Sequence, residues 1–119
     1  MSFVDASNHD EMIAYTSQLA HVIAVSLINS DLVDRNTALF VGDSYRDLTR
    51  IAKLNEDLWS ELFFTNKEEL LKAIERFEEK VIDMKTAIVE GNREQMKDYF
   101  IESTKRRLKL EQEDRKYKQ

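Results

Sequence analysis

The chain contains no proline and only two glycines, Gly42 and Gly91, in 119 residues. A β-rich fold of this length needs many tight turns, and tight turns draw on glycine and proline for the backbone angles other residues resist. The sequence therefore predicts helices. Its length suits one domain with one core. Hydrophobic residues make up 42% and charged residues 34%, a globular composition and not a disordered one.

Asparagines mark where the helices should start. Asn8 stands three before Glu11, Asn66 three before Glu69 and Asn92 three before Gln95, the spacing of a capping box. Asn55 precedes Glu56 and Asp57, whose charges favour a helix N-terminus. Gly91 is placed to end one helix in a left-handed conformation before Asn92 begins the next. The first helix is expected from about Asn8 to Asn29, apolar on most faces and so buried on most faces. A polar link to Asn36 and a short apolar piece at Thr37–Val41 follow. A turn at Gly42-Asp43 then leads into a helix with two arginines, and a short helix with Leu58, Trp59, Leu62 and Phe63 comes next. The fifth element, Asn66–Glu90, sets Leu70, Ile74, Phe77, Val81, Met84 and Ile88 at alternating spacings of four and three, a seam for packing on another helix. The sixth, Asn92 to about Lys116, should fold back on it as an antiparallel hairpin. The seam fits an intrachain core or a subunit interface. The length of the apolar first helix favours an interwoven dimer, because 119 residues offer limited cover for it.

Several function classes are disfavoured. The net charge of −5 argues against general nucleic-acid binding. Lys105–Gln119 holds seven basic residues, but Glu111, Glu113 and Asp114 interleave with them, so it reads as a solvated helix end. No apolar run approaches the roughly 18 residues of a membrane span. Met1–Asp10 lacks the pattern of a signal peptide. With no cysteine there is no disulfide or thiol chemistry, and a cytoplasmic location is the default reading. The two histidines, His9 and His21, would point about 120° apart on a straight helix, which disfavours a metal site. Ser17 and His21, one turn apart, lack the orienting acid and oxyanion hole of a hydrolase. Two isolated glycines cannot form a phosphate-cradling loop.

Two polar features remain. Ser44–Lys53 reads S-Y-R-D-L-T-R-I-A-K and places Arg46 and Arg50 one helical turn apart. Paired guanidiniums suit carboxylates, because arginine keeps its charge and presents planar donors. The same residues also allow a structural reading, with Arg46 and Asp47 bracing the loop and Arg50 paired to an acid such as Glu56. On the first helix, Ser17, Gln18 and His21 form a polar stripe that reads either as a hydrogen-bonded core histidine or as one wall of a site.

H-D at His9-Asp10, T-S-Q-L-A-H at Thr16–His21, S-Y-R-D-L-T-R-I-A at Ser44–Ala52, D-L-W at Asp57–Trp59 and T-N-K at Thr65–Lys67 occur in that order. Together they resemble the C-terminal helical domain of prephenate dehydrogenases, the NAD(P)-dependent enzymes of tyrosine biosynthesis, over about His9 to Tyr99. The resemblance implies an all-α bundle of about five to six helices, forming an interwoven dimer like the C-terminal domain of 6-phosphogluconate-dehydrogenase-like enzymes. Residues 1–119 would be one dimerisation and substrate-binding domain, with the Rossmann domain and its catalytic histidine absent from this chain.

Carried over by position, Arg50 would bind a prephenate carboxylate and His21 would lie near the substrate's polar groups. Trp59 would stand near the cleft, and Arg46 would brace first. Ser17 and Gln18 complete the expected substrate-binding set. Gln18 and Ala20 depart from the family's Ser-His-Leu-Pro-His pattern. Asp43 and Ser44 stand where it has glycines, and Tyr45 where it has phenylalanine. In the implied reaction, hydride passes from the ring carbinol carbon to NAD(P)+ as carbon dioxide departs. NAD or NADP would serve the complete enzyme and none would bind this chain alone, which would be inactive in isolation. The expected partners are a second copy and prephenate or a similar dicarboxylate, with no nucleic acid and no membrane. A stand-alone helical dimer acting as an interaction module is the alternative.

Overall fold

Thr16 makes the first structural decision. Its hydroxyl donates to the Met12 carbonyl at 2.7 Å, one turn back along the first helix. Such back-bonding competes with the regular backbone ladder. Just here α1 (Ala6–Ile13) passes into a π-helical segment, Ala14–Gln18, and then into α2 (Leu19–Asn29). The Leu19 amide reaches the Ala14 carbonyl, five residues back. The computed structural model describes residues 6–117. Met1–Asp5, read above for a leader, and Lys118-Gln119 of the basic tail lie outside the described residues.

Asn8 lies inside α1 and does not cap it, so the first predicted capping box is not formed. A 3₁₀ turn at Thr37–Phe40 replaces the expected apolar piece, with Leu39 and Phe40 exposed. The link before it is stapled by Asp31, which accepts from Arg35 Nε and from the Thr37 hydroxyl, both at 2.6 Å. These two donors hold the Asp31 carboxyl below its usual range, the hydroxyl contributing most. Next come α3 (Asp43–Thr49), a 3₁₀ turn at Arg50–Ala52, α4 (Glu56–Thr65), α5 (Lys67–Glu90) and α6 (Arg93–Tyr117). The described residues contain no strand, in keeping with the predicted all-α class.

The two later caps behave as their residues predict. Asn55 Oδ1 accepts from the Leu58 amide at 2.9 Å, and Asn92 Oδ1 from the Gln95 amide at 3.0 Å. Gly91 takes φ +64°, and the Asn92 and Gly91 amides bond to the Ala87 and Ile88 carbonyls. This is the Schellman pattern, which satisfies the last carbonyls of a helix and favours glycine at the left-handed position. Asn66 differs from expectation. Its backbone carbonyl starts α5 by accepting from Leu70, but its side chain is drawn away to α1 and the π segment.

The chain falls into two compact units, Met1–Arg76 and Phe77–Gln119. In the first, Ala14 and Leu19 meet Leu70 and Ala73 in a small core, with Val22, Ile23, Phe63 and Ile74 packed around it. In the second, Lys80, Asp83 and Met84 face Tyr99, Glu102, Ser103 and Arg106 across a cleft of about 280 Å³, which confirms the antiparallel hairpin.

Burial is sparser than the sequence implies. Met12, Ile13, Tyr15 and Ile28 of the first helix are exposed, so it is not buried on most of its faces. The run Asn8–Asn29 is also long and apolar enough to cross a membrane by length and composition alone. This corrects the expectation of no such segment, because serine, threonine, glutamine and histidine interrupt an apolar run without adding charge.

Candidate functional site

Three rungs join the first helix to α4 and the residue after it. Asn66 Nδ2 donates to the Asp10 carbonyl at 3.0 Å. Gln18 Nε2 donates to the Leu62 carbonyl at 3.1 Å. The His21 ring stacks on Trp59, with centroids 3.8 Å apart and planes 23° from parallel. Positions rise along one element as they fall along the other, so the first helix and α4 run antiparallel. Phe63 meets Trp59 edge-on, with centroids 6.1 Å apart. Aromatic pairs of these kinds contribute about 0.5–1.5 kcal/mol beyond their buried area.

Gln18 is 4% exposed, the one polar residue buried among the described residues. Both ends of its amide are used, since Oε1 also accepts from Asn66 Nδ2 at 3.0 Å. Leu62 lies in the last turn of α4, where carbonyls lack backbone partners, and its oxygen accepts from the Thr65 hydroxyl as well as from Gln18, each at 3.1 Å. In this chain the Gln18 amide is committed to holding helices together.

His21 Nδ1 lies 2.9 Å from the Ser17 carbonyl. A carbonyl can only accept, so Nδ1 carries the hydrogen and Nε2 keeps the lone pair in the neutral ring. The Ser17–His21 link thus forms, but through the main chain and not the serine hydroxyl.

α2 packs against α3 and against the 3₁₀ turn that begins with Arg50. α3 ends at Thr49, whose hydroxyl donates back to the Tyr45 carbonyl at 2.8 Å, and the chain tightens into the 3₁₀ turn. Arg46 and Arg50 therefore do not share one regular helical turn. Arg46 is exposed and pairs loosely with Asp43 at 3.4 Å, not with Asp47. Arg50 is exposed and forms no ion pair or hydrogen bond among the described residues, so the pairing with Glu56 is absent there. A guanidinium left in this state can take a carboxylate in a bidentate grip.

Of the expected site residues, Trp59 also lines a mostly apolar cleft of about 300 Å³ with Val22, Val25, Leu54 and Phe63. The structure gathers Ser17, Gln18, His21 and Trp59 around the antiparallel pair, and Arg46 and Arg50 on the elements packed against α2. The described residues hold no group of three metal-ligating side chains. They contain no strand followed by a glycine-rich turn, so they do not fit a dinucleotide. Nothing in the sequence marks the π segment or the Gln18 rung. Asn66 is legible there only as a cap.

The family model for the prephenate dehydrogenase dimerization domain matches residues 5–102. A cyclohexadienyl dehydrogenase of Zymomonas mobilis is 31% identical over 115 residues, spanning 92% of this chain and 39% of that protein. A prephenate dehydrogenase of Lactococcus lactis is 28% identical, spanning 91% of this chain and 32% of that protein. The crystal structure of prephenate dehydrogenase from A. aeolicus in complex with hydroxyphenyl propionate and NAD+ matches with a TM-score of 0.81 at 29% identity, over 92% of this chain and 40% of that one. The chain thus spans two fifths or less of the length of these relatives. None of these matches supports the stand-alone interaction module. The chain belongs to the prephenate dehydrogenase dimerization-domain family.

Proposed function

We propose that this chain is the helical part of a dehydrogenase that oxidatively decarboxylates prephenate or a closely similar cyclohexadienyl dicarboxylate. In it, Arg50 holds a substrate carboxylate, His21 meets a polar group of the same ligand through Nε2, and Trp59 walls the cleft. The observation that carries this reading is the exposed Arg50, without an ion pair or hydrogen bond among the described residues, on the turn packed against the helix of His21. The relatives' names supply the substrate class. Arg46, paired loosely with Asp43, braces α3 just ahead of that turn.

Holding a dianion through a planar fork fixes its orientation, and orientation supplies much of the advantage of a bound substrate. The hydride acceptor, NAD or NADP, would be held outside these residues, since nothing among them fits it. A second copy of the chain is the proposed structural partner. Phe77, Val81, Met84 and Ile88 keep to the predicted seam yet are 38–69% exposed, which leaves an apolar stripe for another helix. This reading places the protein in the cytoplasm, away from membrane and nucleic acid.

Arg50→Ala in the dehydrogenase that contains this chain tests the proposal. Affinity for prephenate should fall by about 2–5 kcal/mol, the cost of removing one partner of a desolvated charge pair, while the melting temperature stays close to that of the parent. Unchanged KM and kcat would refute the role of Arg50. The 119-residue chain alone should not turn over prephenate with NAD+.

A further inference from the structure

We propose that Gln18 is a positioning residue for His21, acting through the register between the first helix and α4. Gln18 and His21 are three residues apart on one helix, and Leu62 and Trp59 three apart on the other. The Gln18–Leu62 hydrogen bond and the His21–Trp59 stack are therefore successive rungs of one antiparallel ladder. A stack with centroids 3.8 Å apart tolerates little sliding, and the neighbouring rung is the contact that stops the slide.

Asn66 closes the latch. Its amide nitrogen reaches both the Gln18 oxygen and the Asp10 carbonyl, so it clamps the chain just before and at the end of the π segment. The Ser17 carbonyl, inside that segment, then meets His21 Nδ1 at 2.9 Å. A free neutral histidine favours the hydrogen on Nε2. Here the carbonyl draws it to Nδ1 and turns the Nε2 lone pair outward, ready to accept from a hydroxyl or to hold a proton facing a carboxylate. A buried amide whose two ends are both bonded suits this task, because it cannot swing without breaking both bonds. The use of Nε2 toward substrate rests on the function proposed above. The tautomer and the stack do not.

Nitrogen-detected NMR of the 119-residue chain reads the tautomer without substrate. There are two histidines, and exposed His9 serves as the internal reference. At a pH where both rings are neutral, His21 should show mainly Nδ1–H, with ring-current shifts from Trp59, the one tryptophan. Gln18→Met keeps the length of the side chain and removes both hydrogen bonds. It should abolish most of the Nδ1–H population and the ring-current shifts of His21, leaving His9 unchanged. Asn66→Ala, at a half-buried position, removes one of the two bonds of Gln18 together with the Asp10 bond, leaves the Gln18–Leu62 rung, and should produce a smaller shift the same way. A merely structural Gln18 would lower the melting temperature and leave the tautomer alone. If Gln18→Met does not fold, Asn66→Ala decides. The proposal is overturned if His21 is Nε2–H in the parent chain, or if folded variants keep the Nδ1–H form. Failure of prephenate to bind would overturn the proposed function and leave this result standing.

Discussion

Up to Arg76, helices are joined by residues far apart in sequence: Asp10 with Asn66, Gln18 with Leu62, His21 with Trp59, and Leu19 with the core around Leu70. From Phe77 onward, the ion pairs Lys80–Asp83, Lys97–Glu94, Arg106–Glu102 and Arg107–Glu111 join residues three or four apart on one helix. Ala87 is the one buried apolar residue among those described in that unit, while Val81, Ile88, Phe100, Ile101, Leu108 and Leu110 are exposed. Local pairs hold a helix straight but specify nothing about its neighbour. The first unit spends its chemistry on internal register, and the second leaves its apolar surface unspent.

The largest expected effect breaks the first unit's side of this contrast. Leu70, 6% exposed, sits where α5 enters the small core. Leu70→Ala should destabilise by about 2–5 kcal/mol, the usual range for an emptied leucine site. Thermal or urea unfolding checks this. A loss under 1 kcal/mol would show that the core collapses onto the gap and that internal packing is not what defines this unit.

Val81→Asp probes the other side. Val81 is 48% exposed, so the change costs the isolated chain little. If the stripe is a self-association surface, burying a carboxylate there should weaken the dimer by about 2 kcal/mol, roughly 30-fold in dissociation constant. Sedimentation equilibrium measures it, and circular dichroism should show helix content unchanged. An unaltered association constant would move the interface off this stripe.

Helix ends supply the next smaller effect and a direct comparison. Asn55 caps α4 in the first unit, and Asn92 caps α6 in the second, with nearly equal hydrogen bonds. Each change to alanine should cost about 1 kcal/mol. Asn55→Ala should lower the unfolding midpoint of the whole first unit. Asn92→Ala should chiefly increase amide exchange in the first turn of α6. Equal global losses would show that the two units unfold together.

These same residues show what could be read from sequence. Asn55, Asn92 and Gly91 act on their own neighbours, and their roles follow from local spacing. The seam of α5 was readable as a stripe, but periodicity could not say that its first turns face a core while Phe77, Val81, Met84 and Ile88 remain exposed. Asn66 has a cap's spacing, yet its amide is diverted by Gln18, 48 residues away, which local spacing cannot reveal. Arg46 and Arg50 were readable as an anion site. The break from α3 into a 3₁₀ turn between them was not, because S-Y-R-D-L-T-R-I-A-K carries neither glycine nor proline to announce it.

The smallest effect concerns the staple ahead of α3. The Thr37 hydroxyl and then the Arg35 guanidinium hold the folded Asp31 carboxyl below the ordinary range of an aspartate. Because the folded pKa is the lower of the two, the folded state prefers the ionised carboxylate. The staple's contribution is complete above the unfolded value and disappears as pH falls below it through the folded value. Asp31→Asn should therefore lower the melting temperature slightly at pH 7, and the gap between variant and parent should close on acidification in that window. The exposed setting keeps the effect small and salt-sensitive. A gap that stays constant down to pH 2 would mean that ionisation of Asp31 contributes nothing, and that the Thr37 hydrogen bond persists with a protonated carboxyl.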